Sequence, residues 1–214
     1  MENTNTFKIY SRYNNLISLN VTPGHYATSS SHINYYIDMT NLKSRRSEAK
    51  AVAKALVQEY VATTVIDTIV CLDGTNVIGA YLADELLSAG ILSANLHNSA
   101  YIISPEQHSG GQLIFRENYM PMIRGKNILV LLATATTGKT LHTALECIEY
   151  YGGKVAGVSS IFSAAEEIHG EKVNTIFRTE DIPDYATHPA SECPMCKSGQ
   201  PIQAIINSHG YSSL

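Results

Sequence analysis

The chain has 214 residues, 44% of them hydrophobic and 16% charged, which suits one globular domain of ordinary composition with a full core. Lys and Arg number 15 and Asp and Glu 19, a net charge of -4 with no run of like charges to track a phosphate backbone, so nucleic acid is not expected as a partner. The start, MENTNTFKIYSRYNN, lacks a basic segment followed by an apolar run, and no apolar run approaches the ~20 residues that span a bilayer, so a soluble cytoplasmic protein with no membrane partner is expected.

Ser47 is a plausible N-cap for a helical pattern in which Ala49, Val52, Ala53, Leu56, Val57 and Tyr60 share one face. Val65 to Leu72 (VIDTIVCL) is β-branched and mostly apolar, as in a strand covered on both faces, and Asp73-Gly74 ends it. A helix from Asn76 to Ser88 follows, then one or two short strand-like pieces between Ala94 and Ile103. SPEQHSGGQ, Ser104 to Gln112, reads as a mobile loop. Asn127 to Leu132 (NILVLL) is the most apolar strand candidate; a polar loop and a helix with Leu141, Ala144, Leu145 and Ile148 on one face come next. Gly152-Gly153 ends that helix and Lys154 to Phe162 forms another strand. Alternating strands and helices imply right-handed crossovers and a parallel sheet, with ligands outside the carboxyl ends of the strands. The tail from Glu180 onward reads as an irregular extension or a small subdomain.

ATATTGKT, Ala133 to Thr140, matches the Walker A pattern at every fixed position but the first, where Ala133 replaces glycine. A nucleoside-triphosphate hydrolase is therefore one reading. Against it, the first glycine is missing and the next strand ends without an Asp for the metal's water shell.

A second reading uses more of the chain. ILVLLATATTGKT followed by YYGGKVAGV resembles the type I phosphoribosyltransferases, in which a strand leads into a Thr-rich loop opening a helix, then Gly-Gly and a further strand. HYATSSSHINYYID (His25 to Asp38), QHSGG (Gln107 to Gly111) and ECPMCKSGQPI (Glu192 to Ile202) resemble, in order, three segments of the orotate phosphoribosyltransferase branch of that family. The resemblance implies an α/β fold: a parallel-sheet, Rossmann-like core over residues 46–180, a small base-side N-terminal subdomain over 1–45, and a C-terminal extension over 181–214 that carries the CPMC pair. It implies that Thr136, Thr137, Gly138, Lys139 and Thr140 bind a 5′-phosphate, as N–H groups at a helix N-terminus can. It places Asp73, Gly74, Thr75 and Asn76 on the pyrophosphate side, Ser29, Ser30, Tyr35 and Tyr36 on the base side, and His108 in the catalytic loop. Asp73-Gly74 is also an ordinary turn signal, and alternation in a strand turns one of Tyr35 and Tyr36 to the core and the other toward ligand or partner. The implied partner is a small phosphorylated ribose compound, the implied assembly a homodimer, and Mg²⁺ accompanies activity.

The departures are selective. The family's acidic pair, which holds the ribose hydroxyls, falls on Leu132 and Ala133; the cations of its mobile loop are absent from Ile102 to His108; Thr75 and Asn76 stand where a Gly pair is usual, and Ser30 where the Ser-Ser-Gly turn has glycine. Loss of one well-placed charge-stabilising donor costs roughly 10²–10³ in rate. The expectation is a retained phosphate site with catalysis weak or lost; an active phosphoribosyltransferase of pyrimidine nucleotide synthesis or salvage is the alternative. Cys193 and Cys196 could form half of a zinc site with His188 or His209. With no second CxxC they read as an unligated pair, and no metal site is assigned.

Overall fold

The structure, a computed structural model, describes residues 5–88, 90–95, 99–108 and 111–214. Strands β1 (Phe7–Tyr10), β2 (Ser18–Ala27) and β3 (His32–Asp38) form an antiparallel meander, followed by helices α1 (Thr40–Ser44) and α2 (Arg46–Leu56). Then come β4 (Thr68–Cys71), α3 (Asn76–Ser88), β5 (Tyr101–Ile103) and the short pair β6 (Glu106–Gln107) and β7 (Leu113–Ile114). Helix α4 (Met120–Ile123), β8 (Asn127–Ala135), α5 (Lys139–Tyr150), β9 (Lys154–Ser163), β10 (Glu167–Ile168) and β11 (Glu171–Arg178) complete the core. The tail holds β12 (Thr187–His188), α6 (Pro194–Lys197), β13 (Ala204–Asn207) and β14 (Gly210–Ser213).

The central sheet runs β10-β11-β9-β8-β4-β5, parallel throughout except for the β10–β11 edge pair. Its strands are apolar on both faces because helices cover both. Along β8, Leu129 and Leu131 point to one core with Val52 and Leu56 of α2 and Ile78 and Leu82 of α3; Ile128, Val130 and Leu132 point to the other with Leu141, Leu145 and Ile148 of α5. That alternation is the pleat of a strand, and it commits Ile128 to Ala133 in turn to one layer or the other. Tyr60, just past α2, reaches into the first core: its hydroxyl lies 3.0 Å from the Val158 carbonyl and 2.8 Å from Ser159 Oγ. Burial pushes its pKa up to about 12. Gly157 leaves room for the ring, since a Cβ there would come within 2.5 Å of Tyr60 Cε1.

The second sheet runs β12-β3-β2-β13-β14, with β1 also pairing β2. Leu19 and Val21 of β2 pack into the α2–α3 core, and β13 lies parallel to the end of β2, pairing Ala204 with Tyr26. Both ends of the chain thus share one sheet.

Several sequence expectations shift. Helix α2 begins at Arg46, capped by Arg45 without a side-chain bond; Ser47 lies inside the first turn and donates its hydroxyl to Glu48 instead of capping. Between Ala94 and Ile103 one strand, β5, is described, and residues 96–98 lie outside the described residues. The segment expected as a loop after Ile103 contains β6, which pairs β7 through Glu106 opposite Ile114 and Gln107 opposite Leu113. The tail is not irregular throughout. Ala204 and Ile206 face inward while Ile205 and Asn207 face out, the alternation of a half-buried strand.

Candidate functional site

Between the two sheets, at the carboxyl ends of the central strands, lies a cleft of about 660 Å³. This is where an open parallel sheet accepts ligands, because the loops leaving adjacent strands diverge there. The chain passes from β8 to α5 through Thr136, Thr137 and Gly138, all lining the cleft with Lys139 and Thr140. Gly138 is the residue before the helix, with a φ of 75°, and no side chain caps the N-terminus of α5. An L side chain rarely adopts that φ, and a Cβ at Gly138 would also come within 2.6 Å of Ile168 Cγ2. The first intrahelical bond runs from His142 N–H to the Gly138 carbonyl at 2.8 Å. The N–H groups before it have no carbonyl one turn back within the helix, and the first turn carries no acidic residue. The loop therefore offers N–H groups, threonine hydroxyls, a helix dipole and the Lys139 ammonium to an anion.

The opposite wall comes from the second sheet. The turn from Thr28 to Ser31 joins β2 to β3, held by the Thr28 N–H to the Ser31 carbonyl at 2.8 Å and by the Thr28 hydroxyl 3.2 Å from the Ser30 N–H, so Ser29 and Ser30 project into the cleft. Tyr36 lies beside them, with its ring 5.1 Å from that of Tyr211 on β14. Burial pushes its hydroxyl up to about 12, so it faces the cleft as a neutral donor. Among the described residues, the charged groups lining the cleft are the lysines Lys43 and Lys139 and the carboxylate Asp73, with the titratable His209 beside them. Asp73 follows β4 with a φ of 54°, and its Oδ2 accepts the Ala133 N–H at 3.3 Å. Burial raises its pKa, while the N–H groups of Ala133 and Thr134 and the charges of Lys43 and His209 pull it back. Lys43 donates to the Asp73 carbonyl at 3.0 Å and to the Ser208 carbonyl at 2.6 Å, tying α1 to both walls; burial lowers its pKa.

No protein-family model matches the sequence, and no curated protein matches it by sequence. The likeness is one of structure. The orotate phosphoribosyltransferase of Mycobacterium tuberculosis superposes with a TM-score of 0.52 at 17% identity, over 77% of this chain and 93% of that one. Leishmania donovani UMP synthase gives 0.54 at 13% identity, over 75% of this chain and 34% of that one. The adenine phosphoribosyltransferase of Leishmania donovani gives 0.52 at 15%, over 83% and 89%. The chain has the type I phosphoribosyltransferase fold. A structure of the Mycobacterium tuberculosis protein in complex with 5-phospho-α-D-ribosyl 1-diphosphate superposes with a TM-score of 0.50 at 17% identity, over 69% and 82%.

Within this phosphoribosyltransferase fold, the residues expected at the site separate into groups. Thr136 to Thr140, Asp73, Gly74, Asn76, Ser29, Ser30 and Tyr36 all line the cleft. Thr75 does not: it is fully buried, and its hydroxyl turns inward to the carbonyls of Leu72 at 2.8 Å and Leu131 at 3.1 Å. Tyr35 packs against the core with its ring edge-on to Phe7, as alternation requires once Tyr36 faces the cleft. His108 is not among the lining residues; it sits on the β6–β7 hairpin with Nε2 3.9 Å from Glu106 Oε2. On the same hairpin Arg116 forms a two-pronged bond to Glu106, at 2.9 and 2.6 Å. Ser109 and Gly110 lie outside the described residues. Leu132 and Ala133, where the family's acids fall, are both buried, the first in the α5 core and the second in the α2–α3 core.

Lys43 and the tip of the β13–β14 hairpin, Asn207 to Gly210, line the cleft without having been singled out as a ligand site. The hairpin had a signal: a polar, Gly-containing turn between two short β-forming stretches. Lys43 had none, because its place depends on α1 lying against a segment far away in sequence. His209, a candidate zinc ligand from sequence, belongs instead to this cleft wall.

Proposed function

We propose that the protein binds a 5′-phosphorylated ribose compound, a nucleotide or phosphoribosyl pyrophosphate, and that it transfers ribose weakly or not at all. The observation that carries this reading is the α5 N-terminus: Gly138 at positive φ, no capping side chain, no acid in the first turn and Lys139 at its head. A dianion there meets N–H groups and positive charge without displacing an internal partner. A sugar attached to that phosphate would extend between the end of β8 and the β2–β3 wall, which both line the cleft. The loss of chemistry rests on Leu132 and Ala133, whose buried apolar side chains offer nothing to a ribose hydroxyl or a developing cation.

One observation favours the alternative, an active transferase using Mg²⁺. Asp73 Oδ2 sits 3.3 Å from the Ala133 N–H, so a carboxylate supplied by another loop stands beside the position the family's acids would occupy. The two readings part in one assay: calorimetric titration of phosphoribosyl pyrophosphate with Mg²⁺, followed by addition of orotate or adenine and detection of nucleotide. Binding without turnover, weakened by Lys139→Ala, supports the first. Turnover on the order of 1–10³ per second, abolished by Asp73→Asn, overturns it in favour of the second.

A further inference from the structure

Away from the cleft, the structure assembles a second cluster of which the sequence offered only the cysteine half, its histidines being His25 and His32 rather than His188 or His209. His25 near the end of β2, His32 at the start of β3, and Cys193 and Cys196 around α6 each turn one ligand atom inward, and these atoms all lie within 4.8 Å of one another. His25, His32 and Cys193 are buried; Cys196 is exposed. We propose that these residues form a structural zinc site that fastens the C-terminal tail to the N-terminal sheet.

The distances fit that ion. Tetrahedral zinc at about 2.3 Å from sulfur and about 2.0 Å from nitrogen sets nitrogens about 3.3 Å apart and sulfur about 3.5 Å from nitrogen. His25 Nε2 and His32 Nδ1 are 3.1 Å apart; Cys193 Sγ and Cys196 Sγ are each 3.6 Å from His25 Nε2, and Cys196 Sγ is 3.2 Å from His32 Nδ1. A hydrogen bond between the two rings would explain the first distance. It would not explain why two sulfurs converge on the same nitrogens.

The surrounding bonds prepare the ligands. His25 Nδ1 lies 2.9 Å from the Gln200 carbonyl, which can only accept, so the ring proton sits on Nδ1 and the Nε2 lone pair faces the cluster. Two thiolates balance the charge of Zn²⁺, leaving a neutral centre suited to burial. Two nitrogens and two sulfurs suit zinc and not Mg²⁺ or Ca²⁺, which require oxygen.

The clamp has a consequence for the cleft. The tail continues from Gln200 to Gln203, whose N–H donates to the His25 carbonyl at 2.8 Å, and then enters β13 and the hairpin tip at Asn207 to Gly210. His25 and His32 flank the Thr28–Ser31 turn that carries Ser29 and Ser30. One ion would therefore hold two segments of one cleft wall in register.

The test is metal content, which does not depend on any ligand of the cleft. Full-length protein, purified under reducing conditions without chelator, is expected to carry about one zinc per chain by plasma mass spectrometry. Replacement by Co²⁺ is expected to give the intense visible bands of a tetrahedral site together with sulfur-to-cobalt charge transfer. Cys196→Ser, at an exposed position, is expected to lose most of the zinc, while Cys147→Ser keeps it. Should Cys196→Ser prove insoluble, the cobalt spectrum of the unaltered protein still reads the ligand set. Folded, reduced protein that neither carries zinc nor takes up cobalt overturns the proposal, as does full zinc occupancy in Cys196→Ser or a cobalt spectrum without sulfur ligation.

Discussion

Gly138 carries two constraints at once, a left-handed backbone and a Cβ position already filled by Ile168. Gly138→Ala is expected to cost about 1–3 kcal/mol in stability, read from denaturant unfolding, and to remove phosphate binding with it. Lys139→Ala tests the charge without disturbing the backbone: affinity for ribose 5-phosphate should fall roughly tenfold by calorimetry, the low end for a hydrogen bond to a charged group. Asp73 makes a prediction along the pH axis. Burial raises its folded pKa, so the native state keeps a proton that the unfolded chain releases. Its contribution to stability is full below the unfolded value, about 3.9, and is lost as pH rises through the folded one. Asp73→Asn, which also tolerates a φ of 54°, should flatten that decline and make the variant the more stable protein at neutral pH. Thermal midpoints of the two proteins across the acidic range would check it. Thr136 to Thr140, which line the cleft, were legible in the sequence because hydroxyls, glycine and lysine are contiguous there. Lys43 was not, since its partners at Asp73 and Ser208 are distant along the chain.

Among the elements, those with a long uninterrupted pattern were readable. Helix α3 runs from Asn76 to Ser88 as expected, and the inward face of α5 is Leu141, Ala144, Leu145 and Ile148. Short strands such as β6, β12 and β13 were not, because a few residues held by a distant partner carry too little periodicity. The contact between β9 and Tyr60 shows how local sequence answers a distant one: Gly157 has no side chain because Tyr60 needs the space. Gly157→Ala should cost about 1–3 kcal/mol through overpacking. Tyr60→Phe, which takes the hydroxyl from the Val158 carbonyl and from Ser159 Oγ while Asn174 Nδ2 stays 3.3 Å from the latter, should cost about 0.5–1.5 kcal/mol while leaving the cleft untouched. Chemical denaturation alongside ligand titration separates stability from binding, since stability should fall in both variants and affinity in neither.

For the molecule as a whole, the parallel sheet is the stable platform and the second sheet is the wall built against it from both chain ends. The β8-to-α5 segment, which lines the cleft, is legible in the sequence as one contiguous loop, whereas the opposite wall is legible only as fragments. Lys43 joins the two sheets across the cleft, and a ligand bound there should stabilise the folded protein with the logarithm of one plus its concentration over its dissociation constant. No helix among the described residues is long and apolar enough to cross a membrane. The central claim is that the 5′-phosphate, not the sugar or base, is the anchoring group. Paired calorimetric titrations of a nucleoside 5′-monophosphate and the same nucleoside without phosphate test it most directly. Saturable binding of the monophosphate, at least tenfold tighter than the nucleoside and weakened by Lys139→Ala, is the predicted result; equal affinity for the two, or binding indifferent to Lys139→Ala, would contradict it.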